Sequence, residues 1–187
     1  VRGVMTKFGT TYQFMVRSEN DIMLKNPRFT LIPPFFIEDF QTAIDGTNLN
    51  IANWTNVATV GTKLWKEEVF TGNGYAEFSA FGSGNTQNVV WLVSPAIDFS
   101  SYTAKQIEFE VAQHHLDVDS PNNSLQVMIS TDFAGDVTTA TWTTLNANIP
   151  VKATSWYAFL KSSIDVSAYS GNNVRIAFKF TGSGTDT

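Results

Sequence analysis

Cysteine is absent from the 187 residues. That gap removes a disulfide framework, thiolate metal sites and a cysteine nucleophile together. It leaves the compartment open, because a domain with an adequate core is exported without disulfides. Charge is scarce as well: Asp, Glu, Lys and Arg make up 16% of the chain, against about 25% in ordinary globular proteins. The balance is acidic, net −5, and the 12 Lys and Arg are spread along the chain. No basic stripe awaits a phosphate backbone, which excludes nucleic acid as the main partner. No apolar run approaches the ~20 residues that span a bilayer. The opening Val1-Arg2-Gly3 carries neither Met nor a charged n-region, so the expectation is a piece of a longer protein whose export signal and anchor lie elsewhere.

What replaces charge is Thr, Ser, Asn and Gly, a blend that favours strands and turns. Apolar residues recur with period two. Ile107, Phe109 and Val111 alternate with Glu108 and Glu110, and Leu125, Val127 and Ile129 with Gln126 and Met128. Val174, Ile176, Phe178 and Phe180 alternate with Arg175, Ala177 and Lys179. Each such run reads as a half-buried strand. Val89-Val90-Trp91-Leu92-Val93 is apolar on both faces and reads as a central strand. Turn clusters at Gly72-Asn73-Gly74, Gly82-Ser83-Gly84-Asn85 and Ser170-Gly171-Asn172-Asn173 separate the strands. No long amphipathic helix is visible, so the expected class is an all-β sandwich or barrel. The segments Ile97-Asp98-Phe99-Ser100 and Ile164-Asp165-Val166-Ser167 echo each other, each ending in a Tyr two residues on. In both, Asp followed by Ser two residues later is expected to bond local amides and turn the chain.

The first ~32 residues differ in character. Residues 2–9 and 12–16 predict a hairpin, and Asn26-Pro27 and Pro33-Pro34 interrupt any ladder. We expect residues 1–32 to be the C-terminal remnant of a preceding domain, or a hairpin, and residues 35–187 to form the sandwich.

From Phe36 onward the chain carries Phe36-Ile37-Glu38-Asp39-Phe40, Asn53-Trp54-Thr55, Asn73-Gly74-Tyr75-Ala76 and Trp91-Leu92-Val93-Ser94-Pro95-Ala96-Ile97-Asp98. Ser130-Thr131-Asp132-Phe133-Ala134-Gly135-Asp136, Thr141-Trp142-Thr143 and Val174-Arg175-Ile176-Ala177-Phe178 complete the series. In this order and spacing the residues resemble the choice-of-anchor J family of jelly-roll domains, relatives of the cleaved adhesin domains of bacterial surface proteases. The resemblance covers about four-fifths of the chain. It implies a jelly-roll β-sandwich (galactose-binding-like) of two antiparallel sheets, here with an extra N-terminal β-hairpin. It also implies a secreted or outer-surface protein of Gram-negative bacteria, often a lipoprotein, that binds glycans or host proteins and has no catalytic residues. Residues 1–32 resemble the last strands of an OB-like domain that precedes this module in such lipoproteins. The family's closing strand, which carries Trp-Tyr and Asp, has no counterpart before Thr187, so an uncovered sheet edge is expected.

Five tryptophans invite a carbohydrate reading, since sugars stack on exposed rings, although aromatics are also the natural filling of a sandwich. Trp91 belongs to the core run. Trp54 and Trp142 sit among Asn and Thr, and Trp65 is flanked by Lys63, Lys66 and Glu67. These three are the candidate ligand-binding residues, with Trp65 first. Asp117 and Asp119, with Asn122 and Asn123, gather oxygen ligands suited to calcium, although the EF-hand spacing fails and a solvated polar turn containing Pro121 is the plainer reading. Glu38 and Asp39 are a second candidate for a structural calcium, by analogy with jelly-roll binding domains. His114 and His115 point to opposite faces of a strand and cannot act together. Glu108 and Glu110 share one face, where Arg175 or Lys179 would serve as cross-strand partners. No Gly-x-Ser-x-Gly elbow and no phosphate-binding glycine loop occurs. The expected protein is a non-catalytic binding or adhesion module of the bacterial surface, with glycan the first ligand and a cell-surface protein the next. The alternative is a spacer domain of a surface lipoprotein with no ligand of its own.

Overall fold

The structure is a computed structural model and describes residues 4–16, 33–114, 123–150 and 157–184. The chain opens with β1 (Val4–Phe8) and β2 (Thr11–Met15), followed by β3 (Thr47–Asn48), β4 (Thr55–Val60), β5 (Lys66–Phe70) and β6 (Asn73–Glu77). Its second half supplies β7 (Asn88–Val93), β8 (Gln106–Val111), β9 (Ser124–Ser130), β10 (Thr143–Thr144), β11 (Leu160–Asp165) and β12 (Arg175–Gly182). Every ladder is antiparallel, and no helix occurs among the described residues.

Two compact units divide the chain, Val1–Ile37 and Glu38–Thr187. The first contains the β1–β2 hairpin, in register from Val4↔Met15 to Phe8↔Thr11. The second unit is a β-sandwich. One layer is a five-stranded sheet in the order β10-β9-β12-β7-β4. The other layer consists of two separate ladders, β11-β8 and β3-β5-β6. Where one continuous second sheet was expected, rings bridge the gap. Tyr75 of β6 meets Phe159, just before β11, edge-on at 6.0 Å between centroids.

The period-two runs explain the core. Ile176, Phe178 and Phe180 of β12 share a face with Val127 and Ile129 of β9 and with Val90 and Leu92 of β7. Half of this face packs on Ile107, Phe109 and Ile164 of the β8–β11 ladder. The other half packs on Leu49, Trp65, Ala76 and Phe78 around the β3-β5-β6 ladder. Fully burying each such side chain contributes about 1.5–3 kcal/mol. The reverse face of the five-stranded sheet, with Trp91, Val93, Met128 and Ala177, is covered by Phe133, Val137 and Trp142 from the loop between β9 and β10. Strand β7 is therefore buried on both sides, as its unbroken apolar run predicts.

The echoed corners also form. Asp98 accepts from the Ser100 amide at 2.8 Å, and Asp165 from the Ser167 amide at 2.8 Å. Lys105 ties one corner to the other, its amide donating to Ser167 Oγ at 3.0 Å. One pairing differs from expectation. Strand β8 is laddered to β11 rather than β12, so Glu108 meets Lys161 at 2.8 Å instead of Arg175 or Lys179.

Candidate functional site

The three candidate tryptophans do not converge. Trp65 is 7% exposed and lies in the core against Phe78, at 5.8 Å between centroids. Its ring has no free face for a sugar, which corrects the expectation that the charged neighbours Lys63, Lys66 and Glu67 place it on the surface. Alternation along β5 is the reason: Trp65 and Glu67 turn inward, whereas Lys66 and Glu68 turn outward. Trp54 is half-buried against Phe40. Trp142 is half-buried on the opposite face of the five-stranded sheet, its indole N–H donating to the Val137 carbonyl at 3.0 Å.

The calcium candidates divide in two. Asp117 and Asp119 lie outside the described residues. Glu38 and Asp39 each spend a carboxylate oxygen on a nearby main chain, accepting from the amides of Phe40 at 2.9 Å and Gln41 at 3.1 Å. No group of three or more His, Cys, Asp or Glu side chains able to hold a metal assembles among the described residues.

A different constellation is built on the β5–β6 hairpin. Its two-residue turn, Thr71-Gly72, has both residues at positive φ, 53° and 79°. This is the backbone that matches strand twist, and at Thr71 it is strained. The register pairs Lys66 with Glu77, Glu68 with Tyr75 and Phe70 with Asn73. Paired residues share a face, so all six project outward. Asn48 of β3 joins them opposite Lys66.

Two latches hold this face. Inside, the buried Glu67 carboxylate accepts from the amides of Ile44 at 2.7 Å and Asn50 at 2.9 Å, drawing the segment that carries Asn48 onto β5. Outside, Asp45 accepts from the Val69 amide at 2.8 Å.

The rings gather at one end. Tyr157 stacks on Phe70 at 3.9 Å and 7° between planes, and Tyr75 meets Tyr157 edge-on at 5.9 Å. Phe70 is 49% exposed and Tyr157 36%. Carboxyls fill the middle. Burial, and next the charge of Asp45, raises the pKa of Glu68, opposed by Lys66. Burial, and next Glu68, raises that of Glu77, again opposed by Lys66. Burial and a hydrogen bond to Tyr157 hold the Tyr75 phenol in its protonated form.

At the other end Lys66 and Glu77 continue into a pocket of ≈ 450 Å³, lined also by Asn48, Thr62, Lys63, Leu64, Ser79 and Phe81. The bend that delivers Lys63 starts at Gly61, where φ is 83° and a Cβ would stand 2.4 Å from Asn88 Oδ1. Only glycine fits there. Rings, carboxyls and amides along one sheet face suit a polyhydroxylated ligand: apolar sugar faces stack, and hydroxyls donate to carboxylates and accept from amides.

The sequence reading missed this face because it weighed tryptophans singly. The signal that identifies it is the alternation Lys66-Glu68-Phe70 answered by Asn73-Tyr75-Glu77 across a two-residue turn.

Comparison with solved structures finds a likeness. The K1 cleaved adhesin domain of Lys-gingipain from Porphyromonas gingivalis W83 is similar at 18% identity and a TM-score of 0.48, over 76% of this chain and 85% of that one. No family model matches the chain. No curated protein matches it.

Proposed function

We propose that the β-sandwich is a non-catalytic glycan-binding module of an exported bacterial surface protein, and that the glycan lies across the outer face of β5 and β6. The observation that carries this reading is the pair of exposed rings, Phe70 and Tyr157, set beside Glu68, Asn73 and Glu77 on the same face. A site of this composition holds apolar ring faces for stacking and a few polar groups for orientation. The surface location is supported by the segment resemblance from Phe36 to Phe180. A host or cell-surface protein is the competing partner.

A glycan array probed with the intact chain tests the reading, with Phe70→Ala/Tyr157→Ala and Trp54→Ala/Trp142→Ala as variants. Retained glycans released by the first double variant support it. Failure to retain any glycan, or equal retention by the first double variant, overturns it. Release only by the second double variant overturns it too, in favour of a site at Trp54 or Trp142.

A further inference from the structure

Lys63 is the cation on this face that lacks a counter-charge. Lys66 has two, pairing with Glu68 at 3.9 Å and standing opposite Glu77 in the ladder. Lys63 forms no ion pair with a described residue. Its ammonium donates to the Phe81 carbonyl, on the wall of the same pocket. An ammonium has three donors, so two remain.

The same pocket is lined by Asn48, Thr62, Leu64, Ser79 and the Glu77 carboxyl, with the Phe81 ring, 72% exposed, as an apolar wall. An ammonium with spare donors in a pocket that also presents Thr62, Ser79 and Asn48 can receive an oxyanion, and Lys66 offsets the Glu77 carboxyl on the same wall. The pocket's size, ≈ 450 Å³, lies within the range of small-molecule sites, about 300–1,000 Å³. It is large enough for a sugar ring as well as its acid group. The net charge of −5 does not forbid an anion there, because exposed charges farther than about 8 Å are largely screened at physiological salt.

From this geometry we infer that the pocket lined by Lys63, Lys66, Glu77, Thr62, Ser79 and Phe81 receives a carboxylate-bearing sugar residue at its Lys63 end, so that the ligand of the β5–β6 face is an acidic glycan. The inference rests on the glycan-binding reading and narrows it. Lys63 binds the carboxylate, Phe81 packs on the ring, and the chain of the glycan runs over Lys66 and Glu77 toward Tyr157. Carboxylates of this kind come from uronic acids or from sialic acid, and matched probes distinguish them.

Calorimetric titration of the intact chain in 0.15 M NaCl would compare trigalacturonate with galactotriose, and sialyllactose with lactose. The expected result is that one acidic probe binds at least about tenfold tighter than its neutral partner, the scale of one charge-assisted hydrogen bond. Raising the salt should erode that advantage, Lys63→Met should abolish it, and Lys63→Arg should retain most of it, with the melting temperatures of both variants showing that the fold is intact. If neutral and acidic probes bind alike, or the advantage persists in Lys63→Met, the inference is overturned while the glycan reading stands. If no probe binds and the array is also blank, both fall together.

Discussion

Trp65 shows how one position changes meaning once its neighbours are placed. Flanked in sequence by lysines and an acid, it is nonetheless packed beside Leu49, Val90 and Leu92. Its indole N–H is buried with no hydrogen-bond partner. The ring therefore contributes packing alone. Trp65→Phe should cost about 1–3 kcal/mol, because the smaller ring leaves a cavity while it removes the unpartnered N–H. Trp65→Ala should cost about 3–5 kcal/mol. Urea denaturation reads both values, and glycan retention by the Phe variant should match the parent chain.

Glu77 illustrates the opposite case, a charge held where it is disfavoured. Burial and Glu68 raise its carboxyl pKa above the ordinary 4.5. The folded state thus holds this proton more tightly than the unfolded chain does. Ionisation costs stability, and the cost grows as pH climbs from 4.5 toward the raised value and is fully present above it. Glu77→Gln should accordingly raise the melting temperature at neutral pH, with the gain shrinking to nothing below pH 4.5. A gain that is constant with pH would locate the effect elsewhere.

At the scale of elements, β3 is only two residues long and cannot hold its register by ladder bonds alone. Its position depends on the Glu67 carboxylate, which takes the Ile44 and Asn50 amides from either side of it. Hydrogen bonds to a charged group contribute about 1.5–3 kcal/mol each. Glu67→Ala should therefore loosen residues 44–50 selectively. Hydrogen exchange should accelerate at the Ile44 and Asn50 amides while the β7 and β12 amides keep their protection. Uniform acceleration would mean that Glu67 supports the whole sandwich instead. This latch was not legible in the sequence, where Glu67-Glu68 reads as an ordinary charged pair on a strand. Alternation assigns the two to opposite faces, but which face is the inner one follows only from the packing of Trp65 and Ala76.

For the molecule as a whole, the chain divides into two units at Ile37/Glu38. Among the described residues, the members of the three core clusters lie within residues 38–187. A fragment of residues 38–187 should unfold in one cooperative step with the same midpoint as the sandwich transition of the full chain. A fragment lacking that transition would make residues 1–37 part of the fold. The all-β class, the two-sided burial of β7, the N-terminal hairpin and the two Asp-Ser corners all follow from the sequence, because period-two burial and local side-chain bonds act over a few residues. Tertiary structure alone decided three other things. It placed β8 beside β11 rather than β12, split the second layer into two ladders, and set Phe70, Tyr75 and Tyr157 together although Tyr157 stands more than 80 positions from its partners. Those outcomes depend on which strands pair over long separations, and alternation specifies a face without specifying a neighbour.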